Sequence, residues 1–135
     1  MSNMFSGCSS LNILDLNNFN TINVIDMKEM FHGCSSIRYL NLKNFKTDNV
    51  KNMEGMFDGC SSLEELDISN FNFNKVKISE NFFEFCSSLK KVHIPPSTDI
   101  YIVKLIDNIL TKKNQNEIKH NSVDSDLFID EHSDD

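Results

Sequence analysis

Cysteine is the residue of this chain with the most distinctive chemistry, and its four copies recur at one spacing. Cys8, Cys34, Cys60 and Cys86 lie 26 residues apart each time. Four thiols could form two disulfides or a zinc site, but metal ligands usually come in close pairs such as C-x-x-C. Equivalent residues on neighbouring parallel strands would lie about 4.8 Å apart, which is within disulfide range. The same sequence context around each cysteine nevertheless favours a small buried side chain over a bridge or a metal site.

The serine pairs that follow the cysteines are the candidates for nucleophilic catalysis. No His and no acid stand at fixed positions relative to these serines in every repeat, as an activated serine would require. His32 and His93 are isolated, and His120 and His132 lie near the C-terminus. An active site needs its set of catalytic residues only once, whereas the serine pair recurs in every repeat. This recurrence indicates a structural role, in which the hydroxyls form hydrogen bonds with neighbouring backbone. The sequence therefore predicts no enzyme, no catalytic residue, no metal and no cofactor.

An internal repeat defines the elements that must position all these residues. Its pattern is M-F-x-G-C-S-S-L-x-x-L-D-L-x-N-F-x-T-x-x-V-x-x-M-x-x-M-F. The first half has apolar residues two apart, as at Leu66 and Ile68, which predicts a short strand with one buried face. The second half has apolar residues three apart, as at Val50, Met53 and Met56, which predicts one face of a helix.

Two further residues fit this helix, since Thr47 is placed to cap its start and Gly59 to end it. One strand and one helix cannot bury their own apolar edge, so the copies must stack with their strands parallel. The predicted fold class is an α/β repeat solenoid, with one short parallel strand plus one helix per 26-residue repeat and about four rungs.

The motifs MF-x-GCSSL, LDL-x-NF and T-x-x-V-x-x-M-x-x-MF resemble the 26-residue repeat of bacterial surface proteins, which belongs with the BspA-like leucine-rich-repeat proteins. The match covers residues 1–96, roughly seven-tenths of the chain. It implies a leucine-rich-repeat-like solenoid used at cell surfaces for adhesion or protein binding, with no catalytic residues. The repeat containing Cys86 departs from the pattern, because Phe73 replaces the Thr and Phe85 replaces the Gly, as is typical of a terminal repeat.

The chain divides into three predicted parts. Residues 1–96 form the solenoid, which starts within a repeat because Met1 aligns with Met27, so the chain is interpreted as a fragment of a longer array on which further repeats could stack. After Pro95-Pro96, which cannot continue a ladder, residues 97–113 predict a capping helix over the last rung. Residues 114–135 predict a disordered acidic tail.

Most of the net charge of −7 belongs to that tail, since seven acidic residues and one Lys lie from Glu117 onward. Leu127-Phe128-Ile129 in this acidic stretch could be a short linear binding motif, although a solubilising tail is the favoured interpretation. The nearly neutral body lacks the basic footprint of a nucleic-acid-binding protein. No apolar run approaches the ~18 residues of a membrane-spanning helix.

The family resemblance implies a cell-surface or secreted location. The N-terminus, however, lacks the basic start and apolar run of a signal peptide. The chain also has no N-x-Ser/Thr glycosylation sequon. A cytoplasmic location therefore stays open.

The exposed strand positions are the candidates for binding a protein partner. Their four columns are Asn12, Arg38, Glu64 and Lys90; Ile13, Tyr39, Glu65 and Lys91; Asp15, Asn41, Asp67 and His93; and Asn17, Lys43, Ser69 and Pro95. Two of these columns change in size and charge at every rung, and this is where a solenoid places its contact surface. Arg38 and Tyr39 are the predicted anchors. Drift on an unconstrained solvent face is the alternative.

The third column admits a second interpretation, a hard cation held through oxygen ligands. Because Asn41 separates the carboxylates of Asp15 and Asp67, a hydrogen-bonded ladder is favoured. The predicted function is a non-catalytic protein-binding or adhesion module of a cell-surface leucine-rich-repeat protein. The alternative is an intracellular protein-interaction scaffold.

Overall fold

Three short parallel strands form one sheet in the described part of the chain. The computed structural model describes residues 1–77, 80–96, 103, 104, 107, 108 and 110. Within these ranges the strands are β1 (Tyr39–Leu40), β2 (Glu65–Asp67) and β3 (Lys91–His93), in the order β1-β2-β3. Tyr39 pairs with Glu65, which pairs with Lys91, so each residue lies beside its counterpart 26 positions further along the chain. The sheet register therefore follows the sequence repeat.

The strands have the one-sided burial that the apolar spacing predicts. Leu40, Leu66 and Val92 are 7%, 0% and 0% exposed, while the residues around them face outward or are half-buried. Successive side chains of a strand point to opposite faces. One face of the sheet therefore closes the core and the other stays open to solvent.

Consecutive turns occupy the second half of the repeats within the described residues, where the sequence predicts a helix. The N–H groups of Met27, Glu29, Phe31 and Gly33 donate to carbonyls 25 residues further on, in the next repeat, whereas those of Met30, His32 and Cys34 donate to carbonyls three residues back. An α-helix needs each N–H for the carbonyl four residues back. A segment that gives alternate N–H groups to its neighbour therefore cannot be helical.

Left-handed backbone interrupts these turns twice in every repeat. The first such position holds Asn3, Glu29, Gly55 and Asn81, and the second holds Gly7, Gly33, Gly59 and Phe85. At the second position φ is 77° for Gly59 and 59° for Phe85. Since Phe adopts the same backbone as Gly, the turn geometry is imposed by the stacked repeats.

The threonine that recurs at Thr21 and Thr47 joins neighbouring repeats. The hydroxyl of Thr47, a side chain only 1% exposed, donates to the carbonyl of Asn72 at 3.0 Å and accepts from the N–H of Asn72 at 2.7 Å. Thr21 makes the same two bonds with Lys46. The predicted role of Thr47 as a helix cap is thus replaced by a cross-repeat bond, because the segment that follows it forms turns.

A ladder of phenylalanines runs through the core across the repeats. The rings of Phe5, Phe31, Phe57 and Phe83 stack with centroids 5.7, 5.7 and 5.9 Å apart. Their planes differ by no more than 14°. Identical side chains at one register position thus bury one another, which no single repeat could do alone.

The core extends to a helical segment after the repeats. Residues 103, 104, 107, 108 and 110 are in α-helical conformation, and Val103 and Leu110 belong to the same buried cluster as the repeats. The other residues of the predicted cap, 97–113, and the whole predicted tail, 114–135, lie outside the described residues. In the described part, no helix has the length and apolar character to cross a membrane.

Candidate interaction surface

The predicted binding residues of the three strands meet on the open side of the sheet. Tyr39, Glu65 and Lys91 are neighbours in register, and Asp67 lies beside His93. We call this surface the strand face. Its predicted members are Asn12, Asp15, Arg38, Tyr39, Asn41, Glu64, Glu65, Asp67, Lys90, Lys91 and His93.

The first repeat contributes least to this surface. Asn12 and Asp15 are exposed but lie outside the three-stranded sheet. Ile13, which precedes Tyr39 by one repeat, leaves 83% of its side chain exposed. The structure therefore brings the second, third and fourth repeats together in one sheet and leaves Asn12 and Asp15 beyond its edge.

The first column of the strand face is a row of alternating charge. The Arg38 guanidinium contacts the Glu64 carboxylate at 2.5 Å, and the Lys90 ammonium lies 3.6 Å from the other oxygen of that carboxylate. The hydrogen bond from Arg38 lowers the pKa of Glu64, although partial desolvation acts in the opposite direction. Surface ion pairs of this kind add little to the stability of the fold. The main effect of the row is therefore to order the side chains of this column.

The third column is a series of turns, each within its own repeat. The side-chain oxygens of Asp15, Asn41 and Asp67 accept bonds from N–H groups two residues further on, at 3.0, 3.1 and 2.9 Å. Such bonds are typical of Asx turns. The sequence favoured a hydrogen-bonded ladder between repeats, and the structure places these bonds inside each repeat. Among the described residues, no cluster of three or more His, Cys, Asp or Glu side chains could hold a metal ion.

Asp67 stays ionised to a lower pH than an ordinary aspartate, because its pKa is lowered. Burial would raise its pKa, but bonds from the Ser69 hydroxyl and N–H, together with the charges of His93 and Lys43, lower the pKa below its ordinary value. The Ser69 hydroxyl donates to Asp67 Oδ1 at 2.6 Å. The third repeat thus presents a fixed carboxylate to the strand face.

A shallow groove of about 260 Å³ lies between the second and third repeats of the strand face. It is lined by Tyr39, Leu40, Asn41, Leu42, Lys43, Glu65 and Asp67. Tyr39 is 62% exposed, and the Arg38 guanidinium lies 5.7 Å from the centroid of its ring. The groove therefore combines aromatic and aliphatic groups with a few charged and amide groups, a composition typical of binding pockets.

Glu65 and Lys43 bring opposite charges to the lining of this groove. Glu65 Oε2 lies 2.8 Å from His93 Nε2, which fixes the carboxylate at the third repeat against the fourth. Lys43, which belongs to the fourth candidate column, also lines the groove, although the strand face as defined above does not include that column. The signal for Lys43 was available in the sequence, because it stands in the fourth exposed column beside Ser69.

The cysteines lie on the core side of the molecule, away from the strand face. The thiols of Cys34, Cys60 and Cys86 donate to the carbonyls of Phe5, Phe31 and Phe57 at 3.2, 3.2 and 3.1 Å. Burial raises the pKa of Cys34 to about 11, and it raises the pKa of Cys60 as well. Each of these three thiols therefore links two repeats through a hydrogen bond. The raised pKa values keep Cys34 and Cys60 in the protonated, less reactive form.

Comparison with known proteins gives one family and no individual relative. The model of the family described as "Mycoplasma protein of unknown function, DUF285" matches residues 1–120. Neither the curated proteins nor the solved structures contain a match to the chain. Because the family match spans all four cysteine-containing repeats and most of the chain, this repeat protein belongs to the DUF285 family.

Proposed function

We propose that the chain is a non-catalytic protein-binding or adhesion module and that the strand face is its contact surface. The observation that carries the proposal is the groove on this face, where varied exposed side chains stand on a repeated backbone frame. Tyr39, with most of its ring in solvent and Arg38 beside it, is the central anchor. Tyr and Arg are over-represented among residues that dominate binding energy.

The fold that we propose for this module is a leucine-rich-repeat-like α/β solenoid of the BspA-like surface-protein kind, in a longer array. The parallel strand order and the 26-residue register support stacking of equivalent units. The sequence motifs shared with BspA-like repeats support the placement at a cell surface. The turn segments of the described repeats are a variation on the strand-plus-helix unit that the sequence predicts.

The proposed partner is a host-cell, neighbouring-cell or extracellular-matrix protein. The groove supports this choice because its volume of about 260 Å³ suits a side chain, and its shallow form suits a protein surface. Binding would place a polar partner group between the Tyr39 ring and the carboxylates of Glu65 and Asp67. The exchange of the Glu65–His93 contact for a partner contact would then contribute specificity.

Adhesion of the full chain to defined probes tests this proposal. Immobilised collagen, laminin and fibronectin, and intact host cells, would be exposed to the chain and to the double variant Tyr39→Ala/Glu65→Ala. We expect binding of the double variant to at least one probe to fall by about tenfold or more, as for loss of a hot spot. The matched control, His32→Ala on the turn side, should bind like the original chain. The proposal is contradicted if the double variant binds as well as the His32→Ala control, or if the original chain binds none of the probes.

An intracellular interaction scaffold is the second candidate, and the cysteines favour it. Cys34 and Cys60 are buried thiols with raised pKa values, as suits a protein kept in a reducing compartment. Protease treatment of intact cells separates the two candidates. A surface module is cleaved by added protease, whereas a scaffold inside the cell is protected until the membrane is opened.

A further inference from the structure

Three lysines form a positive patch where the strand half of the repeat leads into the turns. The N–H of Lys51 donates to the carbonyl of Ile25 at 2.7 Å, and the N–H of Lys77 donates to the carbonyl of Lys51 at 2.8 Å, so these residues stack in one column. Lys75 lies two residues before Lys77, and its ammonium donates to Asn49 Oδ1 at 3.0 Å. We call Lys51, Lys75 and Lys77, all exposed, the lysine patch.

Three other basic side chains of the described residues form ion pairs, whereas those of the lysine patch do not. Arg38, Lys90 and Lys28 each contact a glutamate, the last at 3.8 Å from Glu54. Within the described part of the chain, no carboxylate lies within ion-pair distance of the patch ammonium groups. Three like charges on adjacent repeats repel one another unless an anionic partner is present.

Exposed aliphatic side chains border the lysine patch. Ile25, in the same column as Lys51, is 56% exposed, and Ile22 is 50% exposed. A partner that covers this region would need negative charge for the ammonium groups and apolar side chains for the isoleucines. Charge complementarity and apolar contact together define the chemistry of the occupant.

The C-terminal part of this chain has both properties in one short segment. Residues 124–131 read D-S-D-L-F-I-D-E, with four acidic residues around Leu127-Phe128-Ile129. We propose that residues 124–131 bind the lysine patch, with the carboxylates at the ammonium groups and the apolar triplet against Ile22 and Ile25. The contact gives the acidic segment a specific partner within the molecule, in addition to its effect on solubility.

The connection is long enough for this contact. Leu110 is buried in the common core, so the segment is tethered close to the repeats. The residues between Leu110 and Asp124 can span roughly 45 Å when extended, whereas adjacent parallel strands are only about 4.8 Å apart. A tethered segment reaches an effective concentration of about millimolar at a site within its range.

An anionic membrane is the other occupant with suitable chemistry, and two features favour the segment. The chain has a net charge of −7, so a negatively charged membrane surface would repel it as a whole. The segment is also covalently tethered to the repeats, whereas a membrane must be reached by diffusion. The experiment below separates these two occupants.

Zero-length carbodiimide cross-linking of the full chain at low concentration, with mass spectrometry, tests the proposal. We expect cross-links from Lys51, Lys75 and Lys77 to Asp124, Asp126, Asp130 and Glu131. Replacing the four acids with Asn or Gln should remove these cross-links and shift the amide resonances of Ile25 and Lys51. The triple variant Lys51→Gln/Lys75→Gln/Lys77→Gln should release the segment, whereas the matched control Lys90→Gln/Lys91→Gln should leave the cross-links and amide positions unchanged.

Three results would overturn the proposal. The first is cross-linking of the segment to Lys90 and Lys91 as often as to the patch. The second is cross-links that join isotope-labelled and unlabelled copies, which would place the contact between molecules. The third is patch-dependent sedimentation with phosphatidylserine vesicles that persists after the four acids are neutralised, together with unshifted amides in solution, which would make a membrane the occupant.

Discussion

The guanidinium of Arg38 contacts the carboxylate of Glu64, the residue at the same position one repeat later. Lys90, one further repeat along, contacts the same carboxylate at 3.6 Å. Like charges at directly neighbouring strand positions are destabilising. The alternation therefore favours the native order of repeats, because pairing the second repeat with the fourth would bring Arg38 beside Lys90.

We predict that Glu64→Gln lowers the thermal midpoint at neutral pH by a few degrees at most. The pKa of Glu64 is lowered in the folded chain, mainly by the hydrogen bond from Arg38. The stability that the Glu64 carboxylate contributes is therefore fully present above the pKa that Glu64 has in the unfolded chain. It is lost as the pH falls through the pKa that Glu64 has in the folded chain. Thermal unfolding followed by circular dichroism at several pH values measures the difference.

The control for this variant is Glu80→Gln, an exposed glutamate with no ion pair among the described residues. It should leave the midpoint unchanged across the pH range. A deficit of Glu64→Gln that persists at low pH, where both side chains are neutral, would show that the effect is not electrostatic.

The buried hydroxyl of Thr47 should contribute far more to the free energy of unfolding than the exposed ion pair of Arg38 and Glu64. Thr47→Val removes both bonds to Asn72 and leaves the partly buried N–H and carbonyl of that residue without their partner. We expect a loss of about 1–3 kcal/mol in the free energy of unfolding, measured by urea titration. Thr47→Ser keeps the hydroxyl and is the control. Equal stability of the Val and Ser variants would mean that the hydroxyl bonds contribute nothing.

The 26-residue period was sufficient to predict parallel stacking, the strand register and the buried Leu and Phe columns, because burial selects residue type directly. The second half of the repeat was predicted as a helix from apolar residues three apart. Turns that give every second N–H to the next repeat bury residues at the same spacing, as at Met27 and Met30. Spacing alone therefore reports which side chains are inside but not where the backbone bonds go.

We predict that Phe85→Gly stabilises the chain by about 0.5–1 kcal/mol, measured by urea titration. Phe85 has a φ of 59° and is 77% exposed. Its backbone is therefore strained, and burial of its side chain does little to offset that strain. Left-handed backbone costs a non-glycine residue about 1–2 kcal/mol, and the added freedom of glycine in the unfolded chain offsets part of that gain.

Gly59→Ala at the equivalent position is the opposing variant. Its Cβ would lie 3.4 Å from both Cα and N of Gly33, in addition to the left-handed φ of 77°. We expect a loss of about 1 kcal/mol or more. A stability loss in Phe85→Gly as well would show that the Phe85 ring makes a contact that outweighs its backbone strain.

Asp58 should be a source of instability at neutral pH. Burial raises its pKa; His32, 3.5 Å away, opposes this, and Glu84 and Glu29 add to it. A carboxyl with a raised pKa binds its proton more tightly in the folded chain, so the stability rises as the pH falls through the folded pKa. We expect Asp58→Asn to have a higher thermal midpoint than the original chain at pH 7, and the gain to disappear in acid.

As the control, the change in thermal midpoint caused by Asp58→Asn is measured both in the original chain and in a chain that lacks His32. In a His32→Gln background the gain should be larger, because the one group that lowers the pKa of Asp58 is gone. A lower midpoint for Asp58→Asn at neutral pH would mean that the contact with His32 outweighs the cost of burying the carboxylate.

The strand face could be placed from the sequence, but its internal contacts could not. The exposed columns follow directly from the strand period, and the sheet places Tyr39, Glu65 and Lys91 side by side as expected. The diagonal contact of Glu65 with His93 depends on side-chain length and rotamer, which a column does not specify. The lysine patch was missed because its members lie in the half of the repeat whose backbone was predicted as a helix.

The cysteines give the last prediction, because burial separates them into two classes. Cys34, Cys60 and Cys86 are buried and donate to phenylalanine carbonyls, whereas Cys8 is half-buried at the edge of the first repeat. With a pKa of about 11, Cys34 is ionised in only about one molecule per thousand at pH 8.

We expect one thiol of the native chain, Cys8, to react quickly with a disulfide reagent, and all four to react in urea. Cys8→Ser should remove the fast reaction and leave three thiols in urea. Fewer than four reactive thiols in unfolded, unreduced protein would instead indicate a disulfide, the alternative that the 26-residue spacing leaves open.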